Sequence, residues 1–174
     1  MRCALVAACL ALVAAFAHAH GGAHAPGAVP LGHAWDFTLP TVDGSRFVQA
    51  SALGGPVLVN FWGKDCVPCV TELPRLEAFA KANPQWTVLL ISTDAPADAL
   101  EFVQRHGLRL TVLRPGANVG ALMRSAGNRS GALPFTVALR SDSREARICG
   151  GQLGELGQAD LARVAAACDA KHRP

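Results

Sequence analysis

Apolar positions along this chain change their spacing several times, and each change marks an element. Trp35, Phe37 and Leu39 alternate with polar neighbours, the pattern of a half-buried strand. The Val42-Asp43-Gly44-Ser45 turn lets residues 46–49 return as a short partner strand. Gly54-Gly55-Pro56 punctuates a loop, and Val57-Leu58-Val59 then runs apolar without alternation, as in a strand covered on both faces. After Cys66 the period lengthens. Val70, Leu73 and Leu76 fall on one side of a helix, Pro74 sits in its interior as a kink, and Asn83-Pro84 stops it. Residues 87–92 are the next strand. Ala99, Phe102, Val103 and His106 follow at i, i+3, i+4 and i+7, with Gly107 closing that helix.

Residues 110–113 are a short strand candidate. Val119, Leu122, Met123 and Ala126 repeat the helical spacing, which makes Met123 a core residue before it is a metal ligand. A loop at 127–131 contains Asn128-Arg129-Ser130, a weak match to a glycosylation acceptor. Residues 135–139 and 146–149 flank the turn Ser141-Asp142-Ser143 as an antiparallel hairpin. Leu161, Val164, Ala165 and Cys168 give a final amphipathic helix. Strands alternating with helices predict an α/β fold: a central mixed sheet with helices on both faces and an N-terminal β-hairpin addition.

Composition sharpens this picture at the N-terminus. Met1-Arg2 is followed by an uncharged apolar run from Cys3 to Phe16 and by the small-residue pattern Ala17-His18-Ala19. That order reads as a signal peptide over residues 1–19, cleaved near Ala19, and the run is short for a permanent membrane anchor of ~20 residues. Val6-Ala7-Ala8-Cys9 resembles a lipoprotein box but lies too early. Residues 20–33, rich in His, Gly, Ala and Pro, cannot bury a core and form a linker. Residues 34–170 are the folded domain. The chain of 174 residues is 51% apolar, 17% charged and carries a net charge of +3, globular values that do not point to nucleic acid.

Removing the leader leaves Cys66, Cys69, Cys149 and Cys168 in what export makes an oxidising compartment. Cys66-Val67-Pro68-Cys69 stands where the apolar strand gives way to a helix. The unpaired N–H groups and dipole at a helix start stabilise a thiolate at Cys66, and Cys69 lies one turn on to resolve a mixed disulfide. Pro68 suits a first turn that does not need its N–H. A zinc half-site is the competing reading, but neither Cys149 nor Cys168 offers finger spacing or flanking histidines.

Phe37-Thr38-Leu39, Asp43-Gly44, Val57 through Trp62, the Cys66-x-Pro68-Cys69-x-x-Glu72-x-Pro74 run and Leu133-Pro134-x-Thr136 together resemble the TlpA/ResA/DsbE-like branch of the thioredoxin superfamily. The resemblance covers residues 34–168 and implies a thioredoxin-like fold and an exported thiol–disulfide oxidoreductase. By it, Pro134 is a cis-proline that exposes the Leu133 backbone to substrate, although the local sequence fits a trans proline opening a strand equally well. Glu72 matches an acidic residue that exchanges a proton with Cys69, against the alternative of a first-turn carboxylate on the dipole. Asn60 stands where cytosolic thioredoxins carry a buried aspartate. Trp62, Val67, Pro68 and Leu133 are the expected substrate-binding residues. No cofactor or metal is implied beyond the cysteine pair.

Asp65 departs from that family, many of whose members have Trp there. A carboxylate beside Cys66 disfavours its thiolate and tilts the pair towards reduction, with Lys64 offsetting part of the effect. Cys149 and Cys168 are either a structural disulfide, stabilising by ~3 kcal/mol, or two buried free thiols. Arg105, Arg109, Arg114, Arg124, Arg129 and Arg140 crowd a stretch without acids, read as solvated surface before a basic docking face. The expected partners are disulfide-containing exported proteins, apocytochrome c or copper-site assembly proteins, and a membrane electron donor. No nucleic acid is expected, and the protein is expected to be a monomer. A copper chaperone using the cysteine pair and the His-rich linker is the alternative.

Overall fold

The structure, a computed structural model, describes residues 29–170, so the leader and most of the His-rich linker lie outside the described residues. In chain order the first elements are β1 (Thr38–Pro40), β2 (Phe47–Gln49), β3 (Gly55–Trp62), α1 (Val67–Ala82) and β4 (Thr87–Ser92). They are followed by α2 (Pro96–His106), β5 (Thr111–Leu113), α3 (Val119–Ser125), β6 (Phe135–Ser141), β7 (Ala146–Leu153) and α4 (Gln158–Ala170). Five strands form one sheet in the order β5-β4-β3-β6-β7. The β3–β4 and β4–β5 pairs are parallel, and β3–β6 and β6–β7 are antiparallel.

Because successive side chains on a strand point to opposite faces, β3 at the centre divides the core in two. Val57, Val59 and Phe61 face a layer made of Trp35, Phe37, Val48, Ala50 and Met123. Leu58 and Trp62 face the other layer, with Cys69, Leu73 and Leu76 of α1, Ala99 of α2 and Leu161, Val164 and Cys168 of α4. Each fully buried aliphatic side chain such as Leu58 or Leu76 contributes about 1.5–3 kcal/mol. Helices therefore lie on both faces, α3 on the first and α1, α2 and α4 on the second.

The predicted N-terminal hairpin exists as β1 paired with β2. Gly44, at φ 73°, makes its turn, and hydrogen bonds from Thr41 and Ser45 draw the Asp43 carboxyl down to about 2. The predicted strand through Trp35, Phe37 and Leu39 forms only at its end, as β1, and Trp35 and Phe37 lie ahead of it. Ala34 bridges Arg147 on β7, and Thr41 bridges Leu113 on β5, the two opposite edges of the sheet. Four strand spacings of ~4.8 Å make ~19 Å, and seven extended residues reach ~23 Å, so this segment crosses the strands and cannot ladder with them. Its alternation is real all the same: Trp35 and Phe37 are buried on the sheet.

A second difference concerns β7, expected to end at Cys149. It continues to Leu153, and the register skips from Ile148 to Gly150, leaving Cys149 as the extra residue of a bulge. The glycines that disguised this strand are there for close approach. A Cβ on Gly151 would sit 2.7 Å from the Thr136 carbonyl oxygen, and one on Gly150 would sit 3.3 Å from that of Val164 on α4. No helix among the described residues is long and apolar enough to cross a membrane.

Candidate active site

The central strand β3 ends at Trp62, and three residues later the chain turns into α1. Cys66 is the N-cap of α1, and Pro68 sits in its first turn. Its backbone is extended, and its Sγ accepts the Cys69 N–H at 3.3 Å. The two sulfurs are bonded, with Cα atoms 5.2 Å apart. Cys66 is half-buried and Cys69 fully buried, while Val67 between them is 75% exposed. Attack from outside is therefore directed at Cys66.

The loop before Cys66 is clamped from the residues that follow β4. Asp94 accepts the Lys64 N–H at 2.8 Å and the Ser92 hydroxyl at 3.0 Å, and a Cβ on Gly63 would lie 3.0 Å from Thr93 Oγ1. Lys64 Nζ meets Asp65 Oδ2 at 2.8 Å on the surface, with the Asp65 side chain 86% exposed. That pairing raises the Lys64 pKa, through the Asp65 hydrogen bond first and its charge second.

Glu72 is fully buried and makes no first-turn contact with solvent. Its Oε1 accepts Asn60 Nδ2 at 2.6 Å, and its Oε2 accepts the Leu156 N–H at 2.8 Å. Asn60 Nδ2 also donates to Thr136 Oγ1 at 3.0 Å, which joins β3, β6 and α1 in one buried network. Desolvation raises the Glu72 pKa, and the Leu156 and Asn60 donors pull it part of the way back. This carboxyl shares a helix with Cys69, three residues on, and both side chains are sealed from water.

The Leu133–Pro134 bond is cis. Leu133 is half-buried with its Cδ1 3.8 Å from the Cβ position of Gly63, so the proline loop lies against the strand end that precedes the cysteines. Asn128, matched in the sequence to a glycosylation acceptor, is fully buried instead. Its Oδ1 accepts Ser130 Oγ and the Gly131 N–H, and its Nδ2 donates to the Ala132 carbonyl, which shapes the approach to Leu133.

Trp62 corrects an expectation. It is fully buried, its ring centroid 5.0 Å from that of Phe102, so it packs α2 onto the sheet and presents nothing to a substrate. Val67 and Pro68 are exposed next to Cys66, and Leu133 is half-buried against Gly63. Cys149 and Cys168 are bonded across β7 and α4, their Cα atoms 4.9 Å apart. The six arginines do not form one face: Arg105 on α2 pairs with Glu101, and Arg124 lies on α3 across the sheet. No group of three or more His, Cys, Asp or Glu among the described residues is gathered as a metal site.

Leu156, Gly154, Asp94 and Thr136 join the site without standing among the residues expected from the sequence. Leu156 and Gly154 act through backbone N–H groups, Gly154 donating to the Pro134 carbonyl at 2.8 Å. No side-chain pattern signals that. Thr136 belongs to the Leu133-Pro134-x-Thr136 run, and its polar place in an apolar strand is the signal that marks it.

A five-stranded mixed sheet with a cysteine pair at the start of a central helix is a thioredoxin-like fold. Comparison with known proteins gives the family: the chain matches the AhpC/TSA family over residues 31–137, more than half its length, and belongs to it. Among its relatives is the soluble secreted antigen MPT53 of Mycobacterium tuberculosis, 35% identical over 66% of this chain and 65% of that protein. The chain thus matches slightly less than two thirds of the length of that relative. The thiol-disulfide oxidoreductase ResA of Halalkalibacterium halodurans is 32% identical over 48% of this chain and 50% of that one. Among solved structures, a secreted Mycobacterium tuberculosis disulfide oxidoreductase homologous to E. coli DsbE superposes with a TM-score of 0.56 at 29% identity, covering 75% of this chain and 95% of that one. The protein is a TlpA/ResA/DsbE-like member of the thioredoxin superfamily.

Proposed function

We propose that this protein is an exported thiol–disulfide oxidoreductase that reduces disulfides of partner proteins, with apocytochrome c or copper-site assembly proteins as the substrates. The observation that carries this reading is the bonded Cys66–Cys69 pair capping α1 with the Glu72 carboxyl buried behind it. The leader read at residues 1–19 and the secreted relative support export.

In the reduced protein the Cys66 thiolate, held by the α1 N-terminus, attacks one sulfur of a partner disulfide. The partner S–S bond breaks, and its other sulfur leaves as a thiolate that takes up a proton. Cys69 then gives its proton towards Glu72 and attacks Cys66 Sγ. The Cys66–Cys69 bond forms and the second partner thiolate is expelled, so two electrons have passed to the partner. A raised Glu72 pKa suits this exchange, because an acid–base group works best when its pKa approaches the ambient pH. The exposed Val67 and Pro68 and the cis-proline loop offer the contact surface, and a membrane electron donor restores the dithiol. Asp65 beside Cys66 disfavours the thiolate and supports reduction as the direction.

Replacing Cys69 by Ser in the protein expressed in its own compartment tests the proposal. Cys66-linked mixed disulfides with exported cysteine proteins are the expected result. Copper bound by the unaltered, reduced protein, with no adduct on the variant, would favour a metal carrier and overturn it.

A further inference from the structure

Glu72 is gripped from two sides that are built differently. Asn60 reaches it from the middle of the sheet, where β3 is paired on both flanks. Leu156 reaches it from the turn between β7 and α4, which belongs to no element. The same turn touches the site a second time through the Gly154 N–H on the Pro134 carbonyl. What ties the two arms of this turn together is the Cys149–Cys168 bond, one cysteine in the β7 bulge and the other near the end of α4. Leu156 lies inside the ring that this bond closes, and its side chain packs in the same buried cluster as both cysteines, Leu161 and Val164.

We propose that Cys149–Cys168 is a positioning link for the active site: it holds the Leu156 amide on Glu72 and so sets the pH at which the carboxylate accepts the Cys69 proton. The proposal rests on the oxidoreductase reading for its purpose, but its physical core concerns Glu72 alone. A buried carboxylate that loses one of two donors is less well stabilised in its charged form, so opening the link moves the Glu72 titration upward. The charged groups around Glu72 are Arg75 on the same helix and Glu155 in the turn. They pair with each other, Arg75 lowering and Glu155 raising the Glu72 pKa. Asn60 on β3 and Thr136 on β6 are neutral, Cys66 and Cys69 share α1, and on α4 Asp160 and Arg163 pair with each other.

The test is a 13C-carboxyl NMR titration of Glu72 in the protein with Cys66–Cys69 oxidised, compared with Cys149→Ala/Cys168→Val, which refills the space. The midpoint is expected to rise by about one pH unit, the worth of one hydrogen bond to a charged group. Leu156 amide exchange should quicken at least about tenfold. The pH profile of mixed-disulfide resolution should move in the same direction, and in a Glu72→Gln background the difference should vanish. A second comparison avoids reliance on that variant's folding: the Cys66→Ser/Cys69→Ser protein is titrated before and after dithiothreitol opens the remaining bond. A lower melting temperature with an unmoved Glu72 midpoint would make the bond a simple staple and overturn the proposal. The titration needs no partner protein, so it reads the link even if oxidoreductase turnover is absent.

Discussion

Two disulfides of this protein have nearly the same Cα separation, 5.2 and 4.9 Å, and opposite surroundings. Cys66–Cys69 spans one turn at the start of a helix, with its first sulfur on a helix cap and a 75% exposed valine beside it. Cys149–Cys168 joins a strand bulge to the far end of a helix, and its cysteines are only 4% and 1% exposed. The bond is the same; what differs is which end a thiolate can approach and what stabilises the thiolate left behind. A helix N-terminus supplies such stabilisation, whereas the middle of a packed layer does not. On the proposed function, redox chemistry in this chain is thus a property of placement, not of cysteine.

The largest expected effect separates the two pairs by activity. Cys66→Ser should abolish disulfide reduction, a loss of at least about a thousandfold, measured with a fluorescent disulfide peptide. Cys149→Ala/Cys168→Val should still turn over; its complete inactivity would erase the distinction. The second effect separates them by stability. Cys149–Cys168 closes a ring spanning 19 positions, and removing it should cost ~3 kcal/mol in denaturant unfolding, well above the cost of reducing Cys66–Cys69 with its separation of 3. Equal costs would mean that loop length does not govern either bond.

Glu72 gives the next effect. Glu72→Gln should slow resolution of the Cys66 mixed disulfide by roughly a hundredfold, read by quenched single-turnover experiments. The pH dependence of folding follows from the same group. Burial raises its pKa in the native state above the ordinary glutamate value, so folding favours its protonated form. That contribution is fully present below the ordinary value and is lost as pH rises through the raised one. Unfolding free energies across this range should show the decline in the unaltered protein and a flatter curve in Glu72→Gln. The smallest effect concerns Asp65. Its exposed carboxylate, paired to Lys64, acts on Cys66 through solvent, so Asp65→Asn should lower the Cys66 pKa by only a few tenths of a pH unit. Iodoacetamide rates against pH measure this, and an unchanged or raised value would remove the argument from Asp65 for the reducing direction.

Much of the fold was legible because burial imposes periodicity. The apolar run of β3, the spacing of Leu73 and Leu76 on α1 and the Asp43-Gly44 turn each appear where local pattern and tertiary need agree. The pattern misled where one residue property served another purpose. Trp35 and Phe37 alternate because they cover a sheet crosswise, not because they belong to it. Gly150 and Gly151 fall beyond the expected 146–149 strand and are nonetheless strand residues pressed against other backbones. Trp62, an aromatic next to the cysteine loop, reads as a binding residue until the α2 packing accounts for it.

The sequence by itself determined the Cys66-Val67-Pro68-Cys69 pair, its place at a strand-to-helix junction and the sheet that carries it, since these follow from spacing and hydrophobicity along contiguous residues. Only the tertiary structure decided that Cys149 meets Cys168, that Asn128 is a loop organiser and that Glu72 takes its second hydrogen bond from the Leu156 amide. Those facts depend on residues distant in the chain and on backbone groups that every residue carries alike. A one-dimensional pattern holds no record of which of them will meet.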